Sequence, residues 1–163
     1  MTEPSPTART LTTSQENREA AVMLVTGARR SLAVFSRDLE PAVYNSVKFV
    51  TAVQKLATYS SFSRVRILVI DPLPAIHAGH RLIELGQRLS SSIEFRRPSS
   101  SHAMLACAFL VVDESGYLYR PLASRYEGLA DTDNLLEARA HLRIFEDIWT
   151  QAEPEPEFRR LGL

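Results

Sequence analysis

The sequence has one cysteine, two lysines, no net formal charge and no long apolar run. Cys107 stands inside an apolar stretch with no cationic neighbour, the setting of an inert buried thiol rather than of a nucleophile. No stretch approaches the roughly 18 apolar residues of a membrane span. The opening MTEPSPTART also lacks the apolar core of a secretory signal, so the expected compartment is the cytoplasm, with no membrane partner. Nineteen basic residues balance nineteen acidic ones, so no bulk field draws the chain to nucleic acid or anionic lipid. Any anion site has to be local. Lys48 and Lys55 apart, the basic residues are arginines, which suits planar recognition of phosphate or carboxylate but follows as simply from a GC-rich coding genome.

What is present is enough apolar residue, 45% of 163, for one core and too little chain for two comfortable domains. The expected organisation is an unordered tail over residues 1–12, a domain over 13–152 and a second tail over 153–163. Thr13-Ser-Gln-Glu16 reads as a capping box that opens a helix over 16–28. Ser31-Leu-Ala-Val-Phe-Ser36 is a buried strand, and Val43, Val47, Val50, Val53 and Leu56 recur at helical spacing over 43–59. The run 64–70 is the strongest strand, stopped by Asp71-Pro72, and a helix opened by Pro74 carries Ile76, Leu82, Ile83, Leu85 and Leu89. A short strand over 93–96 precedes the stretch ACAFLVVDESGYLYRP at 106–121, which reads as two strands joined at Glu114-Ser115-Gly116. A closing helix over 135–150 carries Leu135, Leu142, Phe145, Ile148 and Trp149. This order predicts an α/β layered domain with a mixed, largely parallel sheet flanked by helices, with Val34, Leu68, Val69, Phe109 and Val111 buried and Trp149 covering one edge.

The element order over about 18–150 and the hairpin resemble one half of a phospholipase D superfamily protein, the single-domain size of its small bacterial nucleases. The family signature is His-x-Lys followed by Asp, and anchoring on Asp113 places Ala106 at the histidine and Ala108 at the lysine. The resemblance implies a histidine that attacks phosphorus and a lysine that neutralises the developing charge; a methyl group does neither. A shifted register puts His102 at the histidine, Met104 at the lysine and Phe109 at the aspartate, which still lacks the lysine. The resemblance therefore implies a non-catalytic binding or regulatory module that needs no cofactor. A homodimer is one expectation, because the family site draws on a second copy.

The candidate ligand residues are Arg37, His77, His80, Arg81 and Arg125, which follow predicted strands or open a helix, where open α/β sheets place ligand crevices. The expected partner is an anionic small ligand or a partner protein. The plainer alternative is a loop-tying network in which Arg37 meets Asp38 and Arg125 meets Glu127. His77, His80 and Glu84 share one predicted helical face with metal-ligand residue types, and a second reading, a divergent metal-assisted phosphodiesterase, uses His77, His80 and Asp113. A third reading is a nucleic-acid-binding module in which Tyr117, Tyr119 and Tyr126 stack bases beside Arg120 and Arg125.

Overall fold

The computed structural model describes residues 5–155. The elements are β1 (Ala8–Leu11), α1 (Ser14–Thr26), β2 (Ser31–Ser36), α2 (Pro41–Tyr44), α3 (Val47–Ala57), β3 (Arg64–Val69), α4 (Leu73–His77), α5 (Arg81–Arg88), β4 (Ile93–Arg97), β5 (Ala108–Val112), β6 (Gly116–Arg120), β7 (Gly128–Asp131), α6 (Leu135–Gln151) and β8 (Glu153–Pro154). They form an eight-stranded sheet in the order β1-β7-β6-β5-β2-β3-β4-β8. Among the described residues only β2–β3 and β3–β4 pair in parallel. The β5–β6–β7 meander joins β2 antiparallel, and β1 and β8 close the two edges antiparallel, so the sheet is mixed but not largely parallel. The helical crossovers that force parallel pairing occur only between β2, β3 and β4; hairpins build the rest.

Local chemistry explains most boundaries. Thr13 Oγ1 accepts the Glu16 N–H at 3.1 Å while the Glu16 carboxylate accepts the Thr13 N–H at 3.1 Å, completing the predicted capping box. The helix predicted over 43–59 is two, because Asn45 ends α2 and the Ser46 hydroxyl caps α3 through Phe49 N–H at 3.1 Å. The helix predicted after Pro74 is also two. Gly79 has φ +66°, a conformation that ends α4 before His80 caps α5. His77, His80 and Glu84 therefore do not share one continuous helical face.

Part of each predicted tail lies in the sheet. Ala8–Leu11 pairs with β7, anchored by the Thr7 hydroxyl on the Asp131 carboxylate, and Arg97 and Arg96 pair with Glu153 and Pro154. Residues 1–4 and 156–163, the remainder of those tails, lie outside the described residues.

Two cores share the sheet. On one face Leu24, Val53, Leu56 and Leu82 of α1, α3 and α5 pack on Val34, Ile67, Val69 and Leu110. On the other, Phe145, Ile148 and Trp149 of α6 pack with Phe35, Leu68, Phe109 and Val111. Because β2 is covered on both sides, it reads as a continuous apolar run instead of an alternating one. Val34, Leu68, Val69, Phe109 and Val111 are all buried, and Trp149 closes the β4 side beneath the Arg96 guanidinium, 4.2 Å from its ring. Phe109 stacks on Phe35 at 5.4 Å and is fully buried. Its truncation to alanine will cost roughly 3–5 kcal/mol by urea denaturation; a loss below about 1 kcal/mol would place that strand outside the core.

Candidate functional site

The carboxyl ends of β2 and β3 meet the start of β5 and the end of β6, so Ala106 and Ala108 lie at this end of the sheet. Ala106 is exposed and its carbonyl accepts the Ala123 N–H at 2.6 Å, whereas Ala108 is buried directly opposite Arg120. Paired residues project from the same face of a sheet. The Arg120 side chain, 1% exposed, thus emerges beside Ala108. Its Nε donates to the Arg125 carbonyl at 2.7 Å, one terminal nitrogen donates to the Ala123 carbonyl, and the other pairs with Glu40 at 2.5 Å. The guanidinium also lies 5.1 Å from the Tyr126 ring centroid. Every nitrogen of the group is thereby engaged inside the protein. Tyr44 lies in the same low-dielectric surroundings, where burial and the Glu40 charge push its phenol well above the ordinary range.

The five predicted ligand residues are arranged around this end, but not as one open mouth. His80 is buried: Nδ1 accepts the Leu82 N–H at 3.1 Å, and Nε2 lies 2.9 Å from the Leu39 carbonyl, which fixes the proton on Nε2. Burial, aided by the Arg81 charge, holds its pKa below the usual histidine value. His80 joins the loop after β2 to α5 and offers a ligand nothing. Arg81 is exposed but strapped to the α2–α3 junction, its backbone N–H on Asn45 Oδ1 at 2.8 Å and its guanidinium on the Asn45 carbonyl at 2.9 Å. Arg37, His77 and Arg125 are exposed. Among the described residues neither Arg37 with Asp38 nor Arg125 with Glu127 forms an ion pair.

Asp113 lies at the opposite end of the sheet. Its carboxylate accepts the backbone N–H groups of Arg29 at 2.9 Å, Arg30 at 2.8 Å and Ser31 at 2.9 Å. Asp113 and Glu114 both have left-handed φ, 51° and 58°, so the turn begins one residue earlier than the sequence suggests and Gly116 already belongs to β6. The set His77, His80 and Asp113 is therefore not assembled, and no group of three or more His, Cys, Asp or Glu side chains among the described residues is placed to hold a metal. His102 lies in the loop before β5 with Nδ1 3.2 Å from the Ser99 hydroxyl, and Phe109, its would-be aspartate position, is core. Tyr117 and Tyr119 pack against His141 beneath α6, at 5.1 and 4.7 Å, away from the guanidinium that Tyr126 meets. Burial raises the Cys107 thiol, as expected of an unreactive cysteine.

Reading only the carboxyl ends of strands missed a cleft of about 570 Å³ at the amino ends of β2 and β3, lined by Arg30, Arg64, Arg66, Phe62 and Glu146 together with the Asp113 turn. The available signal was Arg29-Arg30 before β2 and Phe62-Ser63-Arg64 leading into β3, two basic entries to adjacent strands.

Residues 13–161 match the family described as Domain of unknown function (DUF7931). The chain belongs to that family. No curated protein matches it. Among solved structures, TrmBL2, an archaeal chromatin protein whose structure shows a novel mode of DNA binding, superposes with a TM-score of 0.68 at 12% identity over 94% of this chain and 56% of that one. The DUF7931 chain thus spans little more than half of TrmBL2. Nuc, a phospholipase D family member from Salmonella typhimurium, gives 0.64 at 14% identity over 94% of this chain and 99% of its own. NucT from Helicobacter pylori gives 0.58 at 10% identity, with 91% and 98% covered. The DUF7931 fold is phospholipase D-like. No helix among the described residues is long and apolar enough to cross a membrane.

Two measurements probe this end of the domain. Glu40→Gln strands a buried guanidinium and will cost about 3–5 kcal/mol, whereas Arg37→Ala will stay within about 0.5 kcal/mol; equal effects in urea denaturation would remove Arg120 from its buried role. The folded His80 ring resists protonation and the unfolded one does not, so its stabilising contribution is full above about pH 6.5 and declines as pH falls below that value. His141 is shifted the same way by burial. The drop in denaturation midpoint between pH 7.5 and 5.5 will therefore shrink in His80→Gln without vanishing.

Proposed function

We propose that this chain is a non-catalytic, cytoplasmic binding module on a phospholipase D-like fold. One observation carries the reading: where the family chemistry calls for a histidine and a lysine there are Ala106 and Ala108, and the adjacent cation, Arg120, is sealed against Glu40. A phosphodiester at that end would find no nucleophile and would have to displace an internal carboxylate to reach the guanidinium. The exposed Arg37, His77, Arg81 and Arg125 leave a basic rim that suits an anionic ligand or an acidic segment of a partner enzyme. The metal-assisted alternative has no observation in its favour, because Asp113 is separated from His77 and His80 by the length of the sheet.

The test is hydrolysis of bis-p-nitrophenyl phosphate by the purified chain, with and without magnesium or manganese. No turnover above buffer is expected. Turnover abolished by His102→Ala would overturn the proposal and the motif register together. Restoring both residues, Ala106→His with Ala108→Lys, will also give no activity, since the new ammonium would enter a buried position beside the Arg120 guanidinium. That variant will unfold at lower urea than the parent; a double variant that is both stable and active would show the site to be intact.

A further inference from the structure

We infer that the cleft at the amino ends of β2 and β3 binds single-stranded nucleic acid, with phosphate on Arg30 and Arg64 and a base stacked on Phe62. The site lies at the other end of the sheet from Ala106 and Ala108, so the inference stands whether or not the chain is catalytically silent.

The first observation is an imbalance of used and unused charge. Three carboxylates border the cleft, yet each is occupied. Asp113 is committed to three backbone N–H groups, both Glu146 oxygens take Arg66 at 2.9 and 2.5 Å, and Glu114 turns to Arg139 at 3.9 Å. Arg29, Arg30 and Arg64 have no carboxylate partner among the described residues. Asp113 keeps its charge, and Arg29, Arg30, Arg64, Arg66 and Arg139 together still exceed Asp113, Glu114 and Glu146 by two charges here, a local excess of guanidinium in a chain of zero net charge.

The second observation is aromatic. Phe62 is 85% exposed at the cleft, and Tyr59, 60% exposed, lies beside the Arg29 guanidinium at 6.0 Å. Neither ring is placed for folding. An exposed ring next to a cation offers a base a stacking surface and its phosphate a charge partner, the combination that holds single strands without reading their sequence. A duplex keeps its bases stacked internally and would leave Phe62 without a face to meet. A membrane surface would call for a broader apolar patch and flexible lysines, and both lysines lie on α3.

The third observation is rigidity. Arg64 N–H donates to the Arg30 carbonyl at 3.0 Å, the Ser63 hydroxyl to the Arg29 carbonyl at 3.1 Å, and the Arg64 guanidinium to the carbonyls of Ser61 and Ser63 at 2.9 and 2.8 Å. Both basic entries are thus fixed to one another before a ligand arrives, which limits the ordering cost of binding. A cleft of about 570 Å³ lies in the usual range for small-ligand sites and is ample for a nucleotide unit.

Fluorescence anisotropy of the full chain with a labelled twelve-residue oligothymidine tests the inference, using an unlabelled duplex and inorganic polyphosphate as competitors. Binding is expected to weaken with salt, to lose roughly 5- to 100-fold in Phe62→Ala, and to lose about 0.7 of its log–log salt slope in Arg30→Ala. Polyphosphate should compete less well than single strand of equal charge. The affected side chains are exposed, and an unchanged urea midpoint will show that the variants fold. Absence of binding at low salt overturns the inference. So does a Phe62→Ala variant that binds normally, an oligonucleotide displaced equally well by duplex or polyphosphate, or a loss of binding produced by Arg37→Ala and not by Arg30→Ala. Hydrolysis of a phosphodiester by the same preparation would count against the non-catalytic reading alone.

Discussion

A single carboxylate that gathers three consecutive backbone N–H groups sets the geometry of the domain. Asp113 closes the β5–β6 hairpin and, through Arg29, Arg30 and Ser31, fixes where β2 begins. That contact agrees with the pairing of Leu32 with Val112 and so with the register of the antiparallel half of the sheet on the parallel half. Charge-assisted hydrogen bonds of this kind are stronger than neutral ones, and here they hold two left-handed residues in a turn that side chains usually avoid. The work of Asp113 in this chain is therefore structural. Ala106 and Ala108 lie at the far end of the same hairpin and take no part in this contact.

That far end has its own organisation. A buried arginine needs an anion and a full set of acceptors, and Arg120 finds both within the chain, in Glu40 and two loop carbonyls. The loops after β2 and β6, which would frame an open site, are drawn onto one guanidinium. His80 fastens α5 to the same region through Leu39. The two ends of the sheet thus differ in kind: one buries a guanidinium against Glu40 beneath exposed Arg37 and Arg125, and the other keeps Arg30 and Arg64 exposed beside Phe62.

Much of this was legible in the sequence, and the exceptions have definite causes. Ser31–Ser36 and Arg64–Val69 announced themselves because strands buried on both faces need continuous apolar runs, and Thr13 with Glu16 marked the start of α1. β1 and β8 were invisible because edge strands are held by backbone pairing, and Ala-Arg-Thr-Leu or Glu-Pro carries no apolar alternation. The break at Gly79 was missed because helical spacing of apolar residues continues across it, and only φ distinguishes the two cases. The rule that ligands gather at carboxyl ends of parallel strands put the candidate residues at one end, but it carried no information on burial, which removes His80. Nor did it direct attention to Arg30, Phe62 and Arg64, whose proximity depends on two loops 34 positions apart meeting between Arg29 and Ser63.

The pairing of β1 with β7 has a consequence for the order in which the chain can assemble. Thr7 and Asp131 are 124 positions apart, so β1 has no partner until most of the domain after it has emerged. The parallel strands β2, β3 and β4 can form with their own crossover helices well before that. Non-local pairings of this length close slowly, which makes the docking of the amino-terminal strand a late event. Until it happens the outer edge of β7 stays open to any other strand, including one from a neighbouring nascent chain.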